Sequence, residues 1–172
     1  MNQPNTKQCL QILKAQGTHE KIIRHSIVVN KIAVLIAKKF LKNNISLNLA
    51  LVNAGSLLHD VKKWDEINNN TNHGTEGYKM FKHEYPRLAD IIKKHMLYEI
   101  LDGFDTWEQK IVYYADKRVN HDKIVSLKQR FDYLEKRYPP KDKEKRKKVY
   151  ELNIELEKEI FSKIDIKPDG IR

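Results

Sequence analysis

The segment Ala54-Gly-Ser-Leu-Leu-His-Asp-Val-Lys-Lys-Trp64 carries the main indication of both the fold and the chemistry of this chain. It places His59 beside Asp60 at the end of a stretch, 47–58, that is otherwise mostly apolar. Burying an imidazole or a carboxylate costs free energy unless the group has a partner. A metal ion is the obvious shared partner. The dipeptide alone is weak evidence, because it recurs at 121–122 in a polar setting.

Length and composition limit the class of protein. The chain has 172 residues, which fit one domain with a substantial core. Its apolar runs are too short to cross a membrane, and residues 1–5 lack the pattern of a secretory signal. The single cysteine, Cys9, agrees with a reducing compartment. We therefore expect a cytoplasmic protein with no membrane partner.

The charge distribution indicates the sign of the ligand. A formal net charge of +10 favours anionic partners. Much of this excess is local, because residues 141–148 carry six basic side chains against two acidic ones. We interpret this run as the solvated first turns of a helix. No aromatic side chains are interleaved with it, so nucleic acid is not an expected partner.

The spacing of apolar residues predicts an all-α chain. Only six Gly and five Pro interrupt it, and apolar side chains recur every three or four positions. The predicted helices cover 6–16, 19–42, 46–63, 75–82, 85–96, a segment starting near 105, 124–138 and 142–164, and the tail 167–172 is expected to fray. Within them, His25, His95 and Asp116 share faces with apolar residues and are predicted to point inward. A lone inward histidine is more often a hydrogen-bonded core residue than a ligand.

The order of potential ligands resembles that of the HD-domain metal-dependent phosphohydrolase superfamily. Three segments carry the resemblance: Ile-Arg-His-Ser at 23–26, Leu-Leu-His-Asp-Val-Lys-Lys at 57–63 and Tyr-Ala-Asp-Lys-Arg at 114–118. It implies a single-domain HD-type helical bundle, with an N-terminal helix in 1–18, a metal-binding core in 19–138 and a C-terminal helix and tail in 139–172 of the same domain.

Two further segments, 73–77 and 91–95, are similar to the additional ligand segments of the two-metal branches of that superfamily. One such branch is the small bacterial symmetrical dinucleoside tetraphosphatases. The cyclic dinucleotide phosphodiesterases share the arrangement, but a glycine-rich motif of theirs is missing here. His73 lies in an asparagine-rich loop, where a solvated histidine would be ordinary.

The resemblance implies a site with one or two divalent ions. Mixed imidazole and carboxylate ligands suit Fe, Mn, Zn, Ni or Co better than Ca. Asp60 has two oxygens, so it can bridge two ions, and a metal-activated water can act as the nucleophile. The expected metal ligands are His25, His59, Asp60, His73, His95 and Asp116.

The expected substrate is a phosphorylated small molecule, a nucleotide or dinucleotide, cleaved at a phosphate ester or anhydride. Asp60 and Lys63 are the expected catalytic residues, and Lys63, Lys117 and Arg118 are the nearest candidates for binding phosphate. Two alternatives stay open. One is a di-iron HD-type oxygenase, which uses the same ligands, and the other is a non-catalytic nucleotide sensor. For 121–122, the expectation is that Asp122 caps the next helix.

Overall fold

Helices account for nearly all of the regular structure in the computed structural model, which confirms the predicted all-α, single-domain fold. The structure describes residues 3–171, so Met1, Asn2 and Arg172 of the predicted terminal segments lie outside it. The helices are α1 (Thr6–Ala15), α2 (Glu20–Lys42), α3 (Leu49–Leu58), α4 (Lys63–Asn69), α5 (His73–Phe81), α6 (Pro86–Lys94), α7 (Trp107–Lys117), α8 (Leu127–Arg137) and α9 (Lys143–Phe161), with short 3-10 turns at Glu99–Asp102 and Pro168–Gly170.

The predicted single helix over 46–63 is wrong, because helix α3 ends at Leu58 and the His-Asp pair lies in hydrogen-bonded turns. Asn48 caps the start of α3 by accepting a hydrogen bond from the amide of Leu51. After Leu58 the amides of Val61 and Lys63 bond to carbonyls three residues back, which forms tight turns. Helix α4 then restarts at Lys63. The break places His59 and Asp60 in a turn, from which neighbouring side chains can reach one centre.

A two-stranded antiparallel hairpin follows α7, where the sequence predicted the end of one helix and the capped start of the next. Strand β1 (Val119–Asn120) pairs with β2 (Lys123–Ile124), and His121 turns the chain with a positive φ of 57°. Helix α8 is capped by Ser126, so the expectation that Asp122 caps it is wrong. The hairpin turns the backbone carbonyl of His121 toward α2.

One hydrophobic core extends from α1 to the C-terminal tail. Helix α2 packs against α3 and α7, α1 packs against α3, and α9 packs against α7. Ile171 is buried in this core, and the carbonyl of Pro168 accepts a hydrogen bond from Arg118. The described part of the tail is therefore docked and not frayed as expected. Within residues 3–171 no helix combines the length and apolarity that a membrane span needs.

Helices α5 and α6 approach each other closely at a glycine. A Cβ built on Gly77 of α5 would lie only 2.5 Å from the Cγ2 atom of Ile92 on α6. Any larger side chain would push the two helices apart. This contact matters for the site, since α5 begins with His73 and α6 ends at His95.

Candidate metal centre

The structure brings all six predicted metal ligands into one buried centre at the bottom of a cleft. They come from separate elements: α2 supplies a histidine, the turn after α3 the His-Asp pair, the first residue of α5 and the C-cap of α6 one histidine each, and α7 an aspartate. In chain order they are His25, His59, Asp60, His73, His95 and Asp116.

Four of these side chains form a first group. The Nε2 atom of His25 lies 3.0 Å from Oδ1 of Asp116 and 3.9 Å from Oδ2 of Asp60. The Nε2 atom of His59 lies 3.6 Å from the same Asp60 oxygen and 3.7 Å from Oδ1 of Asp116. Atoms that each lie about 2.0–2.2 Å from one ion are separated by about 3–4 Å. The spacing of His25, His59 and Asp60 fits a single ion, and Asp116 lies beside them.

The other oxygen of Asp60 belongs to a second group. Its Oδ1 atom lies 3.0 Å from Nε2 of His73 and 3.3 Å from Nε2 of His95, and these two nitrogens are 3.0 Å apart. The two oxygens of Asp60 thus face different sets of ligands. Such a carboxylate could bridge two ions, one in each group.

All four imidazoles are held in the orientation that a metal ligand requires. Each uses Nδ1 to contact an oxygen: His25 contacts the carbonyl of His121 at 2.6 Å, His59 that of Ser56 at 2.8 Å, His95 that of Ile92, and His73 the Oε1 atom of Glu66 at 3.0 Å. A carbonyl can only accept, so Nδ1 of the first three carries the hydrogen. A neutral ring in this state presents its Nε2 lone pair to the centre, as metal-bound histidines do.

One ligand atom of the centre lacks a protein partner among the described residues, as expected of a group that binds a cation. Nε2 of His59 is buried and has no hydrogen-bond partner in the described chain. Nε2 of His73 and Nε2 of His95 face each other at hydrogen-bonding distance, although both Nδ1 atoms already contact acceptors. Both nitrogens also lie near Oδ1 of Asp60, at 3.0 and 3.3 Å, so a cation bound by this oxygen could share all three ligand atoms. The residues therefore fit a transition-metal ion in each group.

Burial and charge together prepare the centre for cations. Burial lowers the pKa of His59 to about 4, so this imidazole stays neutral near pH 7. Burial alone would raise the pKa of Asp60, but the neighbouring histidines outweigh it and hold the pKa well below its usual range. The same holds for the pKa of Asp116, where the ammonium of Lys117 and the imidazole of His25 outweigh burial. Both carboxylates are thus ionised.

The three predicted phosphate-binding residues have different surroundings. Lys63 lies on the cleft wall, pairs with Glu66 and has its ammonium 3.5 Å from Nδ1 of His73. Lys117 is buried, and its ammonium donates to Oδ2 of Asp116 at 2.5 Å and to the carbonyl of His95 at 2.8 Å. Those bonds position metal ligands, so Lys117 holds the centre together as well as lining the cleft.

Arg118 is not brought to the cleft, so the geometry does not support the expectation that it binds substrate. Its guanidinium turns toward α9 and the tail, where it contacts Tyr114, Glu157 and the carbonyl of Pro168. The reason is the helix period: Arg118 follows Asp116 by two positions and therefore lies on a different face. It stabilises the docking of the C-terminal segment.

Sequence reasoning missed the groups that orient the ligands, two of which show why. The Glu66 carboxylate contacts His73 Nδ1, and the backbone carbonyl of His121 contacts His25 Nδ1. The role of Glu66 could be recognised only once the position of the helix break after Leu58 was known. A backbone carbonyl leaves no signal in a sequence, because every residue has one.

The cleft above the centre has a volume of about 430 Å³ and a second wall that the sequence did not predict. This wall comes from α8, the segment after it and α9. Its side chains are Arg130, Tyr133, Leu134, Tyr138 and Arg146. A cleft of this size accommodates a small organic ligand.

Comparison with known proteins supports the metal centre and leaves its reaction open. The family model described as "HD domain" matches residues 22–166. The chain is 33% identical over 147 residues to a tRNA (cytidine(56)-2'-O)-methyltransferase of Picrophilus torridus, an alignment that covers 77% of this chain and 41% of that protein. The chain is also 31% identical over 149 residues to the enzyme of the same name from Thermoplasma volcanium. That alignment covers 78% of this chain and 42% of that protein.

The chain thus spans about two fifths of the length of the curated relatives that it matches. The named methyltransferase activity is that of those longer proteins. No solved structure matches the chain.

Proposed function

This chain belongs to the HD-domain family, and from that premise we propose that it is a metal-dependent phosphohydrolase that cleaves a phosphate ester or anhydride of a nucleotide or dinucleotide. The family indicates a metal-dependent hydrolase in general. The observation that carries the finer proposal is the bridging position of Asp60, with one oxygen toward each group of imidazole nitrogens. Such a pair of sites suits the in-line displacement of a phosphoryl group.

Each part of the centre has a role in this reaction. Two ions bound to the six ligands would polarise the phosphate and activate a water near neutral pH. Asp60 and Asp116 supply the negative charge that retains the ions. Lys63 lies on the open side of the centre and neutralises charge on the phosphate. The buried Lys117 keeps the Asp116 carboxylate and the His95 backbone in place.

A second candidate is hydrolysis of a phosphate carried on RNA. The observation that favours it is that both relatives are named for a reaction on tRNA. In addition, the basic run 141–148 adjoins the cleft, because Arg146 lines it. An RNA substrate would use the exposed lysines of that run to contact its backbone.

The test is the metal content per chain of protein purified without chelator, followed on the same sample by anaerobic phosphate release. The substrate panel would contain mononucleotides, dinucleoside polyphosphates and tRNA. About two transition ions per chain with turnover is the result expected from the two-site geometry. One ion with turnover would assign His73 and His95 to substrate contact. Bound iron with oxygen consumption and no phosphate release would refute the hydrolase and favour an oxygenase.

The Asp60→Ala variant ties the result to this centre. Because Asp60 contributes to both groups, its loss should abolish metal loading at both and hydrolysis with them. Asp90→Ala is the matched control, since Asp90 is exposed on α6 and outside the cleft. Full retention of metal in Asp60→Ala would remove the basis of the proposal.

A further inference from the structure

One residue of the basic run 141–148 does not face solvent, contrary to the interpretation of that run from sequence. Arg146 is only 7% exposed, whereas Lys145 and Lys147 on either side of it are exposed. It precedes Val149 by three positions and therefore lies on the inward face of α9. That face places Arg146 on the wall of the cleft.

Arg146 has no acidic partner in the described chain. Its Nε atom donates to the hydroxyl of Tyr98 at 3.3 Å, and the guanidinium lies 5.7 Å from the centre of the Tyr98 ring. Its Nη1 atom is buried without a hydrogen-bond partner. The arginine ion pairs formed among residues 3–171 involve other arginines, namely Arg24, Arg87 and Arg118.

Arg130 of α8 repeats this situation on the same wall. Its Nη1 atom donates to Oδ1 of Asn120 at 3.0 Å, and its Nε atom is buried without a partner. Neutral acceptors such as the Tyr98 hydroxyl and the Asn120 amide do not neutralise a guanidinium. Keeping two such charges partly desolvated in one cleft is unfavourable unless an anion joins them.

We infer that Arg146 and Arg130 form a subsite for a second phosphate of the substrate, distinct from the phosphate that is cleaved. The metal ligands and Lys63 belong to α2–α7 and the turns between them, whereas the two arginines belong to α8 and α9. A substrate that contacts both walls carries phosphate groups at two positions. The substrate class is therefore a nucleotide with at least two separate phosphates. This inference rests on the proposed function in one respect, that the same cleft takes a phosphorylated substrate.

The wall that carries the arginines also supplies a surface for the nucleoside. Tyr133 and Tyr138 line the cleft on the same side as Arg130. Tyr133 is partly buried and packs edge-on against His121, which fixes its ring. Aromatic rings stack on any base, so this surface gives affinity for a nucleotide without strong selection among bases.

The experiment is calorimetric binding of adenosine 5'-monophosphate and adenosine 3',5'-bisphosphate to the protein as purified, at one fixed ionic strength. Wild-type protein should bind the bisphosphate at least about tenfold more tightly, since a hydrogen bond to a charged group gives about 10- to 100-fold in affinity. Arg146→Gln should remove this preference and leave affinity for the monophosphate nearly unchanged. Lys147→Gln, an exposed neighbour on α9, should behave as wild type.

Several outcomes would overturn the inference. One is that wild-type protein binds the two nucleotides with equal affinity. Another is that Arg146→Gln weakens binding of the monophosphate and the bisphosphate by the same factor. A third is that Lys147→Gln loses the preference for the bisphosphate as Arg146→Gln does, which would indicate a diffuse basic surface. Metal content and circular dichroism check that Arg146→Gln folds. If it does not fold, Arg130→Gln and Arg146→Lys replace it. An unchanged preference for the bisphosphate in both of these variants would also overturn the inference.

Binding also separates this inference from the proposed function. A bisphosphate preference that depends on Arg146, with no phosphate released from any substrate, would refute the hydrolase but support the subsite. Turnover of mononucleotides without a preference for the bisphosphate would support the hydrolase but refute the subsite.

Discussion

Replacing Glu66 with glutamine should weaken one metal position and spare the other. The Glu66 side chain is 26% exposed and has its Oε1 atom 3.0 Å from Nδ1 of His73. It contacts neither His25 nor His59 in the described structure. Loss of a carboxylate behind a metal-bound histidine commonly costs about 10- to 100-fold in metal affinity, which is about 1.4–2.7 kcal/mol. We expect this loss only for the ion held by His73, His95 and Asp60.

The assay is a competition titration of the metal-free protein with Zn²⁺ or Mn²⁺ and a chromophoric chelator, which resolves two binding steps. In Glu66→Gln one step should shift by the stated factor and the other should shift much less, because Glu66 contacts an imidazole of only one group. Glu76→Gln is the control, because Glu76 pairs with Lys79 on the outer side of α5. Equal weakening of both steps, or of neither, would refute the assignment of Glu66 to a single ion.

Two other predictions concern stability. Gly77→Ala should lower the free energy of unfolding, measured with urea, by about 1–3 kcal/mol, because the new Cβ would overlap Ile92. Gly170→Ala is the control, since Gly170 has open space around it. Equal effects of the two substitutions would contradict the packing argument. In metal-free protein, burial places the pKa of His59 at about 4, below its ordinary value of 6.5, so the unfolded chain takes up the proton first as the pH falls. The stability that depends on neutral His59 is therefore full above pH 6.5 and is lost between pH 6.5 and 4. In urea unfolding, the free energy of unfolding of His59→Leu should fall less over that pH range than that of the wild type. An equal fall in both proteins would rule out His59 as its origin.

The helical elements could be predicted because their determinants are local. The apolar spacing of α2 was enough to place its span within one residue at its start and to turn His25 inward. The predicted span of α9 also agrees in its core, where Val149, Leu156 and Ile160 are buried. Periodicity failed wherever a long-range contact decided the backbone. The break after Leu58 and the hairpin at 119–124 are both at the centre, where ligand geometry competes with helical propensity.

The metal ligands illustrate the same division. Their order along the chain, through the resemblance to the HD superfamily, selected His25, His59, Asp60, His73, His95 and Asp116 as one set of candidate ligands. Arg118 lies elsewhere because it follows Asp116 by two positions, about 200° around the helix axis, so closeness in sequence to Asp116 does not ensure closeness in space.

By itself the sequence determined the all-α class, the inward faces of the helices and the set of groups able to bind metal, since each follows from residue type and spacing. Only the tertiary structure decided which oxygen of Asp60 faces which histidines and that Glu66 holds His73. It also decided that Arg146 is buried on the wall of the cleft and that Arg118 contacts the C-terminal tail instead. The physical reason is that these properties depend on atoms far apart in the chain, which come together only when the helices pack.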